Sequence, residues 1–304
     1  MKPTELVYSS HDRCEHIHRD WIVQRALESW HNKTILYLPM SSGARGDQEY
    51  SWGTFSSYLD RFRQYGLVPR TFLYDDALQR EDAQQFFDWL AGSEVVILGG
   101  GRVSTGLARY RAIGERFFGA PDAFVETLRA RQNHGKLTVG FSAGAAQLCE
   151  YGCDGVDDRC LGLIAQVAVT LHYEHAAVGH LQHLAHVHPG CLVFGLPNDS
   201  GIAVSQGATG RDNRWQLIQF ITDQSWDRPE DHWHIKTRQG VKIEHRYADG
   251  RDWKFESGDL LLRVFYGGGS WESWIKRPEF PGFLEYGSQL PSGYRNVEDI
   301  LQDR

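Results

Sequence analysis

The sequence predicts an α/β fold: a mostly parallel sheet covered by helices on both faces, with a β-rich extension at the C-terminal end. Three observations predict it. Nearly continuous apolar runs (33–40, 70–74, 94–98 and 136–141) alternate with longer stretches of helical spacing. Those runs lack polar alternation, so both faces of each strand are read as buried, as in a parallel sheet between helical layers. From Gly207 onward, strand-like runs and turn residues replace the helical stretches.

In chain order, residues 1–32 are polar, with one short amphipathic helix over 20–30 carried by Trp21, Ile22, Val23, Ala26, Leu27 and Trp30. KTILYLPM (33–40) is the first buried strand and SSGARGD (41–47) a loop at its carboxyl end. Phe55, Tyr58, Leu59 and Phe62 give residues 52–65 a helical period that Gly66 stops. RTFLY (70–74) is a strand, 80–91 a helix, and EVVIL (94–98) a strand running directly into Gly99-Gly100-Gly101. A helical region over 104–132 breaks near Gly119-Ala120-Pro121. The strand 136–141 leads into Ser142 and a small-residue helix over 143–150. An acidic loop (151–159), a strand (161–171), a helix (176–187) and two short strands (191–195, 202–205) follow. The later strands are 215–222, 233–237, 241–247, 253–255 and 260–266, with Ala248-Asp249-Gly250-Arg251 as a hairpin turn. With no linker between the parts, residues 1–208 are expected to form the core and 209–304 an extension packed on it.

Composition bounds the function. The chain has 304 residues and a net charge of −7, with a pI near 6.0. Nucleic acid and anionic membranes need a basic surface, so neither is an expected partner. No run approaches a membrane span, and residues 1–10 lack the apolar core of a secretion signal. Five cysteines, an odd number, fit reduced thiols and a cytoplasmic location better than a disulfide framework. Cys149, Cys153 and Cys160 match no zinc spacing.

The chemistry concentrates in LTVGFSAGAAQL (137–148). Gly140-Phe141-Ser142-Ala143-Gly144 is a G-x-S-x-G elbow between a strand and a helix, which would expose the Ser142 hydroxyl at the sheet's carboxyl edge. A serine nucleophile requires a base and a group that orients the base. His172 and His175 both stand at a strand's end, with His172 the better placed. His180, His183 and His186 follow a helical i, i+3, i+6 spacing and read as a solvated face. The triple glycine lacks the P-loop ending, and its other reading is a close backbone approach that offers an oxyanion N–H.

Four segments, VVILGGG (95–101), GFSAGAA (140–146), LHY (171–173) and GLPNDSGIAVS (195–205), resemble the serine peptidase family of aspartyl dipeptidase (peptidase E) and cyanophycinase. That family's fold is related to class I glutamine amidotransferases. The resemblance implies Ser142 as nucleophile, His172 as base, and Gly101 and Ala143 as oxyanion donors, with no cofactor. It departs at three places. Arg102 stands where the family has asparagine. The acidic triad position falls on Asn198, so Asp199 by a one-residue shift, Asn198 itself, or Asp157 would orient His172. His180 and His183 stand where aspartyl dipeptidases carry arginines. Gly100, Arg102 and His175 are placed to meet substrate. The expected activity is that of a serine hydrolase on small peptides, with a second copy of the chain as the one protein partner considered. The alternative is an inactive relative that binds a small ligand or a protein, with Trp271, Trp274 and Phe280 as a candidate surface.

Overall fold

The computed structural model describes residues 1–10, 14–152, 159–222, 242–266 and 270–304, with His175 described in its backbone alone. The chain begins with a strand absent from the sequence reading, β1 (Glu5–Tyr8). One helical stretch follows, made of α1 (Glu15–Ile17), a π turn (His18–Val23) and α2 (Gln24–Leu27). Next come β2 (Thr34–Leu38), α3 (Arg45–Leu59) with a 3₁₀ turn (Asp60–Tyr65), β3 (Val68–Thr71), α4 (Arg80–Gly92) and β4 (Val95–Leu98). Then α5 (Val103–Phe118), α6 (Ala123–Asn133), β5 (Leu137–Phe141) and α7 (Ala143–Leu148) complete the alternation. The remaining elements are β6 (Cys149–Tyr151), β7 (Ile164–Leu171), α8 (Val178–Val187), β8 (Leu192–Leu196), β9 (Ser200–Ala208) and β10 (Arg214–Thr222). They close with β11 (Ile243–Arg246), β12 (Asp252–Phe255), β13 (Leu260–Phe265), β14 (Trp271–Lys276), β15 (Leu284–Glu285) and α9 (Val297–Asp303). The strand expected over 233–237 lies outside the described residues.

Two sheets organise these elements. The larger runs β15-β14-β13-β10-β9-β1-β5-β4-β2-β3 and the smaller β12-β11-β8-β7-β6. From β3 to β1 every pairing is parallel, whereas from β1 to β15 every pairing is antiparallel. The architecture is therefore mixed α/β, and the expectation of a mostly parallel sheet is corrected. The physical reason is that an apolar run reports burial, not direction. Strands β9 and β10 are joined by a hairpin over residues 209–213, closed by Thr209 N–H donating to Asn213 O at 2.7 Å, and a hairpin makes only antiparallel neighbours.

The two halves are buried differently. The parallel half carries helices on both faces. Phe55, Leu59, Ile17 and Ile22 pack on one, and Phe86, Leu90, Tyr110 and Phe124 on the other. The antiparallel half is covered on one face by the second sheet, through Val167, Val169, Phe194 and Phe255. Its other face packs Leu217, Leu262, Val264 and Trp274 against Phe283 and Ile300. Trp274 is thus core, Trp271 is half-buried and Phe280 is exposed. These three do not form one open aromatic surface.

Strand β1 brings a carboxylate into this core. Glu5 is fully buried, and its Oε2 accepts from Thr4 Oγ1 at 2.8 Å and Gln206 Nε2 at 2.9 Å. Burial pushes its carboxyl from 4.5 up to about 8, against the opposing hydrogen bonds. The folded state therefore holds a proton that the unfolded chain releases near 4.5. Stability from this group is full below that pH and is lost as pH rises toward about 8. Glu5→Gln keeps the shape without the titration. Thermal melts from pH 5 to 8 should show the wild type losing stability with rising pH and the variant losing less.

Candidate active site

The elbow is built by packing. β5 delivers Phe141 and α7 begins at Ala143, leaving Ser142 at φ 49°, ψ −122°, a region that residues with side chains rarely enter. Its N–H donates to Tyr8 O at 3.2 Å. The flanking glycines are required by space. A Cβ on Gly140 would lie 2.2 Å from Gly144 O, and one on Gly144 would lie 2.1 Å from Leu98 O.

His172 follows β7 and is also left-handed, at φ 52°. Its backbone N–H donates to the buried Ser9 Oγ at 2.6 Å. Its ring lies between two partners: Nε2 is 3.3 Å from Ser142 Oγ, and Nδ1 is 2.6 Å from Asn198 Oδ1. With Nδ1 carrying the hydrogen, Nε2 is left as the acceptor facing the serine. The next residue, Tyr173, is buried. Its N–H donates to Leu196 O at 3.0 Å and its hydroxyl to Glu244 Oε2 at 2.9 Å. Its ring occupies the space a Cβ on Gly195 would need, 2.6 Å away.

Asn198 lies in the turn between β8 and β9, closed by Ser200 N–H and Oγ donating to Pro197 O at 3.1 and 2.8 Å. The group that meets His172 Nδ1 is thus the residue on which the family's acidic position falls without a shift. Asp199, the shifted alternative, is only 3% exposed. Asp157 lies outside the described residues, as does the side chain of His175. His175 itself is in a 3₁₀ turn (His175–Ala177) before α8.

The glycine loop closes against the elbow. A Cβ on Gly100 would sit 3.3 Å from Ser142 Cβ, and one on Gly101, at φ 133°, would sit 2.0 Å from Ser41 O. Position 101 therefore accepts glycine alone. Ser41 O also accepts from Arg102 N at 2.9 Å. The Arg109 guanidinium fixes the loop beneath, donating to the carbonyls of Met40, Ser42 and Gly43 at 2.8, 2.6 and 2.7 Å. Gln147 Nε2 ties Ser41 Oγ and Val103 O together, each at 2.9 Å. Neither the Gly101 nor the Ala143 N–H makes a hydrogen bond among the described residues. The Arg102 side chain is exposed at the start of α5.

His180, His183 and His186 are exposed, while Leu181, Leu184 and Ala185 on the same helix are buried. Among the described residues no group of three or more His, Cys, Asp or Glu is arranged to hold a metal. No described helix is long and apolar enough to cross a membrane.

Sequence reasoning missed the residues that hold the site from β1 and the segment after it: Tyr8, Ser9 and Cys14, whose Sγ donates to Asn198 O at 3.4 Å. It also missed Arg109 and Gln147. The one available signal was ELVY (5–8), too short a run to stand out in a polar segment.

No family model matches the chain and no curated protein matches it. Solved structures do. The chain is similar to a peptidase from an acI-B1 Actinobacterium, with a TM-score of 0.56 at 13% identity over 84% of this chain and 95% of that one. At that identity the likeness is one of fold. A putative peptidase E protein from Listeria monocytogenes EGD-e aligns with a TM-score of 0.45 at 15% identity, over 72% of this chain and 97% of that one. A glutamine amidotransferase aligns with a TM-score of 0.28 at 14% identity, over 68% and 83%.

Ser9→Ala would leave the His172 N–H without its acceptor in a partly buried setting. The expected cost is about 1–3 kcal/mol of folding stability, read from chemical denaturation.

Proposed function

We propose that this chain is a serine hydrolase acting on small peptides. The observation that carries the reading is the Ser142–His172–Asn198 chain of contacts, at 3.3 and 2.6 Å, set on a left-handed elbow residue. The sequence resemblance to the aspartyl dipeptidase and cyanophycinase family points the same way, as does the fold shared with a peptidase.

Ser142 Oγ attacks the substrate carbonyl carbon while His172 Nε2 takes the hydroxyl proton. Asn198 Oδ1 accepts from Nδ1–H and keeps the ring in the tautomer that leaves Nε2 free for that proton. The oxygen becomes an oxyanion between the N–H groups of Gly101 and Ala143, aided by the positive end of α7. The C–N bond then breaks, and the leaving amine takes the proton from His172. Water, deprotonated by the same histidine, attacks the acyl-enzyme and releases the acid and Ser142. An amide still orients the imidazole but stabilises the imidazolium less than a carboxylate would. Arg102, exposed beside the glycine loop, and Gly100 are the substrate-facing groups in this reading, with His175 placed near them by sequence. The reading needs no cofactor and places the enzyme in the cytoplasm.

The separation of 3.3 Å is within reach of a hydrogen bond, which supports the enzyme over an inactive relative. The test is a peptide-library digest comparing wild type with Ser142→Ala. Wild type should cleave short peptides and Ser142→Ala should not. Equal product patterns from the two would sink the proposal. Within the same assay, His172→Ala should lose about 10²-fold or more in rate. Asn198→Ala should fall at least about tenfold, and Asn198→Asp should keep or exceed the rate because it keeps the acceptor and adds the charge that stabilises the imidazolium.

A further inference from the structure

The described residues also line a cavity remote from Ser142. It has a volume of about 550 Å³ and lies between the two sheets, beyond the amino ends of β1 and β5. Ser142 follows the carboxyl end of β5, so the two sites sit at opposite ends of that strand. Carboxamides of Gln132, Gln206 and Gln216, the guanidinium of Arg214 and the indoles of Trp215 and Trp271 line it. No carboxylate is among the described residues that do.

Two features set this cavity apart from an ordinary gap between sheets. First, Gln216 is only 1% exposed, yet its Oε1 has no hydrogen-bond partner among the described residues. Its Nε2 is spent on Ala165 O and Gln206 Oε1 at 3.3 and 3.4 Å. A buried acceptor without a donor costs about 1–3 kcal/mol. Second, Gln166, also on the wall, is held at φ 52°. It is locked there by Glu150 Oε2 accepting its N–H at 2.7 Å, by Arg263 donating to its carbonyl at 3.3 Å, and by the Trp271 indole N–H donating to its Oε1. Strained backbone of this kind persists where surrounding structure enforces it, and it concentrates at binding sites.

We propose that this cavity is a binding site for a neutral saccharide of one or two pyranose rings. Carboxamides donate and accept at once, as sugar hydroxyls do. Arginine supplies paired donors to neighbouring oxygens. The indoles of Trp215 and Trp271, whose N–H groups already donate to Ala208 O and Gln166 Oε1, offer apolar surface to the C–H face of a ring. The described lining residues lack the clustered cations a phosphate would need, and the volume falls in the range of small-ligand sites.

The test is isothermal titration of the full chain with cellobiose, maltose and N,N′-diacetylchitobiose. At least one should bind saturably, tighter than about 1 mM. Arg214→Ala, at an exposed position, should weaken that binding about tenfold or more, and Trp271→Ala should do the same while Trp271→Phe retains part of it. Peptide turnover should be unchanged in Arg214→Ala, so this result stands apart from the fate of the Ser142 proposal. A crystal soaked in the binding sugar should show it between Gln216 and the two indoles. Absence of saturable binding by all three sugars, binding untouched by the substitutions, or a soaked cavity holding ordered water alone would each overturn the proposal.

Discussion

The site depends on one short strand end. Tyr8 O receives the Ser142 N–H and Ser9 Oγ receives the His172 N–H. Both donors, Ser142 and His172, are left-handed residues, at φ 49° and 52°, a conformation that costs on the order of 1–3 kcal/mol when a side chain is present. A single rigid element thus anchors both strained backbones. β1 can do this because it is inserted between β5, which carries the serine, and β9, which follows the Asn198 turn. The parallel pairing with β5 and the antiparallel pairing with β9 meet on this strand, and so do the two halves of the sheet.

Around that anchor, close packing replaces flexible support. The glycines at 101, 140 and 144 each exclude a Cβ by contact with a backbone carbonyl. The loop over 40–43 is held by three carbonyl contacts to Arg109 and a bridge from Gln147. Preorganised N–H groups are effective because they need no reorganisation when charge develops. Gly101, packed against Ser41 O, abuts that fixed loop.

Much of this was legible in the sequence. The alternation of apolar runs and helices located β2, β4 and β5, because strands buried on both faces leave an unbroken apolar signature; the strand expected over 70–74 is instead the edge strand β3, two residues earlier and partly exposed. The G-x-S-x-G motif and the strand-end position of His172 identified two residues that stand within reach of each other. The antiparallel half was not legible, since strand direction leaves no mark on hydrophobicity. β1 escaped because four residues give too short a pattern and one of them is the buried Glu5. The choice between Asn198 and Asp199 turned on the exact path of a three-residue turn, which sequence spacing alone does not define. Ser9 and Arg109 act through hydrogen bonds to backbone groups far along the chain, and such contacts have no local signature.

The central claim is that Ser142 is an activated nucleophile. Intact-mass analysis after treatment with a fluorophosphonate probe tests it most directly. The account predicts a single adduct, mapped by peptide sequencing to Ser142, forming far more slowly when His172 is replaced by alanine. A folded protein that stays unlabelled, or one labelled at another residue at a rate indifferent to His172, would contradict it.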